Sequence, residues 1–156
     1  MEETMDNANA VIRPPIAWAL AFIAGLALDW LHPMPFIPAS VSTAWIGAAI
    51  FALGLALGIW AIASIRKAGS RVETNRPTTA IVASGPYRFT RNPIYIGMFL
   101  GQSGLAVGLN SLWLLVTLLL FYFVIRHGVI RREEAYLERK FGAGYLDYKS
   151  RVRRWL

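Results

Sequence analysis

The chain contains no cysteine and only two histidines, His32 and His127. The first absence excludes disulfide frameworks, iron–sulfur clusters, thiolate zinc sites and cysteine nucleophiles; the second excludes a histidine-rich metal site, and no metal is expected. Charge is scarce as well: 16% of the 156 residues are charged, 56% are hydrophobic, and mean hydropathy is +0.44. So little charge could not keep the unfolded chain solvated, which excludes disorder, and the composition lies outside ordinary soluble usage. Residues 1–156 read as one integral membrane domain.

Apolar runs fall at Ile16–Leu31, Val41–Ile65, Ile94–Leu109 and Leu112–Ile125. A bilayer core takes about 20 helical residues. Four transmembrane helices are therefore expected, an all-α helical bundle with limits near 16–31, 41–65, 93–109 and 111–130. Glu2, Glu3 and Asp6 precede the first run with a single Arg13, the wrong sign for a signal-peptide leader, so the run is kept as a span. Pro14 and Pro15 suit its start, and the prolines from Pro33 to Pro38 suit its end. Only Asn110 and Ser111 separate the third and fourth runs, enough for a tight turn, so these two form a helical hairpin.

Basic residues accumulate on the cytoplasmic side of a membrane. Of 16 Lys and Arg, six lie between the second and third runs, nine follow the fourth, and Arg13 precedes the first. An even number of spans with both termini cytoplasmic accommodates all of them. The net charge of +7 then reports topology and contact with anionic membrane lipids; no nucleic-acid-reading motif accompanies it.

No charged residue occurs between Val41 and Ile65 or between Ile94 and Ile125, which disfavours ion-coupled transport. Polar groups gather in two cytoplasmic segments, 66–92 and 126–156, so a site built from them lies at the membrane surface. In the first, Gly85-Pro86 reads as a turn and Asn92-Pro93 as a helix cap and first helical residue. The N–H groups of that helix start, with Arg88 and Arg91 nearby, suit an anion. In the second, a helix continues from the fourth run, with Ile130, Leu137 and Phe141 on one face, Glu133 and Glu134 just beyond the bilayer, and Gly142 and Gly144 as its stop. The plain alternatives are a solvated face with Arg131 tied to Glu134, interfacial roles for Tyr145, Tyr148 and Trp155, helix packing for the paired glycines, and a hydrogen bond to another helix for Gln102.

Taken in order, Gly85-Pro86-Tyr87, Arg91-Asn92-Pro93-Ile94-Tyr95-Ile96-Gly97, Glu133-Glu134 and Phe141-Gly142-Ala143-Gly144-Tyr145-Leu146-Asp147-Tyr148 resemble the isoprenylcysteine carboxyl methyltransferase and phospholipid methyltransferase superfamily. The likeness runs from about Arg66 to the C-terminus. It implies an S-adenosylmethionine-dependent membrane methyltransferase, with S-adenosylhomocysteine as product, without a Rossmann fold and without a metal. Position by position, the resemblance puts cofactor contacts on Thr79, Ala80, Ile81 and Val82, on Tyr87, on Asn92, Pro93, Ile94 and Tyr95, and on Glu133. It offers Glu133, Glu134 and Arg131 as catalytic candidates. The acceptor it implies is a lipidic or amphipathic molecule reached from the membrane.

Two positions depart from the superfamily pattern. Asn92 stands where a histidine is common, which removes that group's proton chemistry. Val129 stands where the isoprenylcysteine branch has a substrate-facing arginine one turn before the first glutamate. The rival readings are a membrane reductase of the sterol-reductase type using NADPH, and a non-catalytic scaffold of the same fold.

Overall fold

The computed structural model describes residues 10–70 and 78–156. Glu2, Glu3, Asp6, Arg71 and Arg76 lie outside the described residues. All regular structure among the described residues is helical: α1 (Pro14–Leu31), α2 (Thr43–Lys67), a 3₁₀ turn at Gly85–Arg88, α3 (Pro93–Gly108), α4 (Leu112–Ile125), α5 (Arg131–Phe141) and α6 (Ala143–Arg151). A π-helical stretch, Arg126–Ile130, joins α4 to α5 without a break.

Among the described residues three helices are long and apolar enough to cross a membrane: Pro14–Leu31, Thr43–Lys67 and the continuous Leu112–Phe141. The third apolar run gives only the 16 residues of α3, about 24 Å of helix at 1.5 Å per residue. Pro93 fixes its start, and the left-handed turn residue Asn110, φ 51°, its end. The apolar part of the continuous helix is α4; beyond Ile130 the sequence turns charged, so α5 lies past the membrane-spanning portion.

The helices pack in the order α2–α3–α4–α1, so the consecutive α1 and α2 are not each other's principal partners. The α2–α3 contact is made backbone to backbone. A Cβ on Gly104 would stand 2.4 Å from the Phe51 nitrogen, and one on Gly54 would stand 2.6 Å from the Gly101 nitrogen. Small residues permit such an approach where lipid offers no hydrophobic drive for helix association. Between α3 and α4 the tether is polar: Gln102 Nε2 donates to the Leu114 carbonyl at 3.0 Å and to Thr117 Oγ1 at 3.2 Å. The outer faces expose Trp30, Trp45, Leu53, Leu119 and Leu120, the surface that lipid would cover.

Three expectations are corrected here. Gly142 ends α5 with φ 51°, but Gly144 is no stop, since it lies inside α6. The positive φ at Gly142 reverses the chain, and α6 consequently turns inward: Tyr145 and Tyr148 are buried, not interfacial. Trp155 likewise packs inward, with ring centroids 5.7 Å from Phe99 and 5.9 Å from Tyr122.

Candidate active site

The start of α1, the end of α2, the start of α3, the π segment, α5 and α6 converge at one end of the bundle around a cavity of about 530 Å³. That volume lies within the range of small-molecule sites. Its walls are mainly apolar, with Ile16, Ile65, Ile94, Met98 and Ile130 among the lining residues.

Most of the positions singled out in the sequence come together here. Ala80, Ile81 and Val82, Tyr87 and Asn92, and Ile94, Tyr95, Glu133 and Glu134 all line it. Thr79 is exposed, its hydroxyl donating to the Gly69 carbonyl at 2.8 Å, and does not line the cavity. Pro93 is buried behind the wall as the first residue of α3. Arg131 is exposed and points to no part of the cavity lining. Ile130 and Leu137 line the cavity, whereas Phe141 does not.

The centre of the site is a pairing between α3 and α5. Tyr95 donates its hydroxyl to Glu133, with 2.9 and 3.0 Å to the two carboxylate oxygens. Glu133 is partly buried and faces the cavity. Burial raises its carboxyl to about 7, helped by the negative charge of Glu134 and opposed by the Tyr95 hydrogen bond. The group therefore changes charge near neutral pH, which suits either a proton acceptor or a switchable ligand contact.

The π segment explains how α5 presents both glutamates. A π turn inserts one residue into an α-helix and shifts the register of everything after it, and such turns recur at functional sites. Here it leaves the Gly128 carbonyl to accept the Val11 N–H at 3.1 Å, tying the start of the described chain to the helix one turn before Glu133.

Glu134 is held differently from the expected local pair. It is buried, and it is bound by Arg154, with Nε to Oε1 at 3.0 Å and Nη2 to Oε2 at 2.7 Å. Arg91 Nη2 approaches Oε1 at 3.3 Å. Arg131 takes no part in this arrangement, because it sits on the exposed face of α5.

Asn92 occupies the cap position of α3 without capping it by its side chain. Its Nδ2 instead donates to the Arg154 carbonyl at 2.9 Å, and its backbone N–H donates to Thr90 Oγ1 at 3.2 Å. One of the helix-start donors expected to meet an anion is thus already used. Arg88, expected beside that start, is exposed and lies over the Phe89 ring. Arg91 remains, with Nε and Nη1 buried and lacking a hydrogen-bond acceptor.

Tyr145 and Tyr148, which belong to the last motif but were given no site role there, line the cavity, and Tyr136 from α5 with Arg13 and Ile16 from the start of α1, which no motif singled out, complete it. Burial, with Glu134 nearby, raises Tyr145 to about 12 against the opposing charge of Arg91. Burial holds Tyr87 still further above the usual tyrosine range, with Tyr148 and Glu133 adding to it. These phenols stay protonated at neutral pH and act as hydrogen-bond donors; Tyr148 donates to the Tyr87 carbonyl at 2.8 Å. The clue available in the sequence was the run of tyrosines after Gly142, but only the chain reversal there turns them inward. Among the described residues no group of three or more His, Asp or Glu side chains is placed to hold a metal ion.

The amino-acid portion and ribose of S-adenosylmethionine require a carboxylate partner, a cation and hydrogen-bonding groups beside an apolar surface. Glu133, the unsatisfied donors of Arg91, the tyrosine hydroxyls and the Ala80–Val82 wall supply that set.

Comparison with known proteins places these residues in a family context. A relative from Alcaligenes xylosoxydans xylosoxydans, the nickel-cobalt-cadmium resistance protein NccN, is 33% identical over 69% of this chain and 50% of its own length. The cobalt-zinc-cadmium resistance protein CzcN of Cupriavidus metallidurans is 29% identical over 69% of this chain and 49% of its own. The chain thus spans about half the length of these two relatives. An uncharacterized protein of Haemophilus influenzae is 56% identical over 30% of this chain and 73% of its own length. The family model for phospholipid methyltransferases matches residues 42–144, which takes in α2, α3, α4, α5 and both glutamates of the site. The chain belongs to the phospholipid methyltransferase family of integral membrane proteins.

Proposed function

We propose that the cavity binds S-adenosylmethionine and that the chain transfers its methyl group to an amphipathic acceptor drawn from the bilayer. The observation that carries this reading is the lining of a single cavity by Ala80–Val82, Tyr87, Asn92, Ile94, Tyr95 and Glu133, which come from segments far apart in sequence. Membership of the family supports it.

In this reading Glu133 accepts hydrogen bonds from the ribose hydroxyls or the amino group of the cofactor, with Tyr95 fixing the carboxylate's orientation. Tyr87 and the Ala80–Val82 wall enclose the remainder. The bound cofactor supplies an electrophilic methyl group on a good leaving group. The protein's part is therefore to hold donor and acceptor at reacting distance and to keep water out, and no covalent nucleophile is required. A carboxylate or thiolate acceptor needs no base. An amine acceptor must first lose a proton, and Glu133, ionising near neutrality, is placed to take it.

The acceptor enters from the lipid side between the cytoplasmic ends of α1 and α2, where Ile16 and Ile65 flank the cavity and the two helices are not principal packing partners. Both termini lie in the cytoplasm, which puts the cavity at the cytoplasmic membrane surface, open to a soluble cofactor.

Calorimetry on detergent-purified protein tests the reading, with S-adenosylmethionine and S-adenosylhomocysteine as ligands and NADPH as control. Micromolar binding of the first two and none of NADPH is expected. Binding of NADPH alone would move the assignment to a reductase, and no binding to folded protein would move it to a scaffold.

A further inference from the structure

Two arginines approach one buried carboxylate, and they share it unequally. Arg154 takes both oxygens of Glu134 in a two-pronged contact. Arg91 reaches Glu134 only through Nη2, at 3.3 Å. The Arg91 side chain is 9% exposed, and its Nε and Nη1 have no acceptor. A buried guanidinium with unspent donors is costly unless a ligand completes it. Arg91 also lines the cavity that holds Tyr95 and Glu133.

The tail that carries Arg154 is fastened to the same loop. The Arg91 N–H donates to the Arg153 carbonyl at 2.9 Å, and Thr90 Oγ1 and Asn92 Nδ2 donate to the Arg154 carbonyl at 3.1 and 2.9 Å. Trp155 anchors its end against Phe99 and Tyr122. Arg154 and Trp155 lie outside the stretch of 42–144 that the family model matches.

We propose that Arg91 binds the carboxylate of the cofactor's amino-acid portion and that Arg154 is the positioning residue that keeps Arg91 available for it. By occupying both oxygens of Glu134, Arg154 prevents that carboxylate from closing a two-pronged pair with Arg91, the geometry that guanidinium and carboxylate favour. The fastened tail fixes the Arg91 backbone at the same time. Without Arg154, Glu134 draws Arg91 into a full pair and the cofactor's carboxylate loses its partner. The other titratable groups near this cluster are Glu133, Tyr145, which shares a hydrogen bond with the Arg91 side chain, Tyr148 and Tyr122, and none of them supplies the charge of a guanidinium to the carboxylate.

The inference rests on the cofactor reading above, and the test separates the two. Binding of S-adenosylhomocysteine is compared by calorimetry with binding of its decarboxylated analogue, on wild type, R154Q, R154K and R91K. Wild type is expected to prefer the carboxylated ligand by about tenfold or more, the scale of one charge-assisted contact. R154Q is expected to reduce that preference to less than about threefold while its affinity for the decarboxylated ligand stays near that of wild type, a pattern general loosening of the fold does not produce. R154K, which keeps the charge and loses the fork, gives an intermediate ratio and serves if R154Q does not fold. R91K is expected to lose most of the preference. A wild-type preference retained in folded R154Q and R154K overturns the role of Arg154. Equal binding of the two ligands by wild type overturns the role of Arg91 while leaving the cofactor site standing. No binding of either ligand to folded wild type overturns the cofactor reading itself.

Discussion

Tyr95 on the first turn of α3 and Glu133 on α5 stand 38 positions apart in sequence and meet through one hydroxyl, which lies 2.9 and 3.0 Å from the two carboxylate oxygens. The pair joins the two motif segments and lines the cavity. It fixes the orientation of a carboxylate that burial makes costly to ionise.

Replacing Glu133 should therefore act on binding and stability in opposite directions. Glu133→Gln is expected to weaken S-adenosylhomocysteine binding by at least about tenfold, the loss of one charged contact. At pH 8 the same substitution is expected to raise the melting temperature of the ligand-free protein by a few degrees, since it removes a buried charge. Calorimetry and thermal unfolding in detergent check both; weaker binding together with a lowered melting temperature would contradict this account of Glu133.

The pH dependence follows from the same group. Its carboxyl titrates near 4.5 in an unfolded chain and at about 7 in the fold. Between those values the folded state holds a proton that the unfolded state has released, so stability of the ligand-free protein falls as pH rises from about 4.5 to 7. Cofactor affinity moves the other way, rising through pH 7 as the carboxylate forms. Titrations at pH 6, 7 and 8 are expected to show this rise in wild type and a flatter profile in E133Q.

Tyr95→Phe removes the donor and leaves the ring. A several-fold loss of cofactor affinity is expected, smaller than for E133Q, because the carboxylate remains but is no longer oriented. An unchanged affinity would show that Glu133 needs no such partner.

The α2–α3 contact makes a sharp prediction about glycines. Gly104→Ala places a methyl group 2.4 Å from the Phe51 backbone nitrogen and 2.7 Å from the Gly47 carbonyl oxygen, neither of which can move aside without separating the helices. A cost of about 2 kcal/mol or more is expected, at the upper end of overpacking penalties. Gly58→Ala meets nothing within 4 Å and should leave the melting temperature nearly unchanged.

Asn110 holds the α1–α2 connection against the α3–α4 turn. Its Oδ1 accepts from the N–H groups of Phe36 and Ile37 at 3.0 and 2.9 Å, its Nδ2 donates to the Ile37 carbonyl at 2.9 Å, and its backbone has φ 51°. Asn110→Ala loses the bonds and keeps the left-handed backbone, a combined cost of about 2–3 kcal/mol. Asn110→Gly relieves the backbone and should fall between Ala and wild type in thermal unfolding.

Sequence determined much of this architecture because its signals are local. Scarce charge and long apolar runs specify helices in lipid, since an isolated segment there must satisfy its own backbone hydrogen bonds. Pro93 marks the start of α3, and two polar residues between apolar runs force the α3–α4 hairpin. The motif around Asn92, Tyr95 and Glu133 pointed to the segments that meet at the cavity. Tertiary structure decided what depends on chain direction and register. The positive φ at Gly142 turns Tyr145 and Tyr148 inward, and the π segment sets which way Glu133 and Glu134 face. Residue spacing on α5 pairs Glu134 with Arg131, yet the fold gives it Arg154, 20 positions away, because a returning tail can offer a buried two-pronged contact that an exposed neighbour on the same helix cannot.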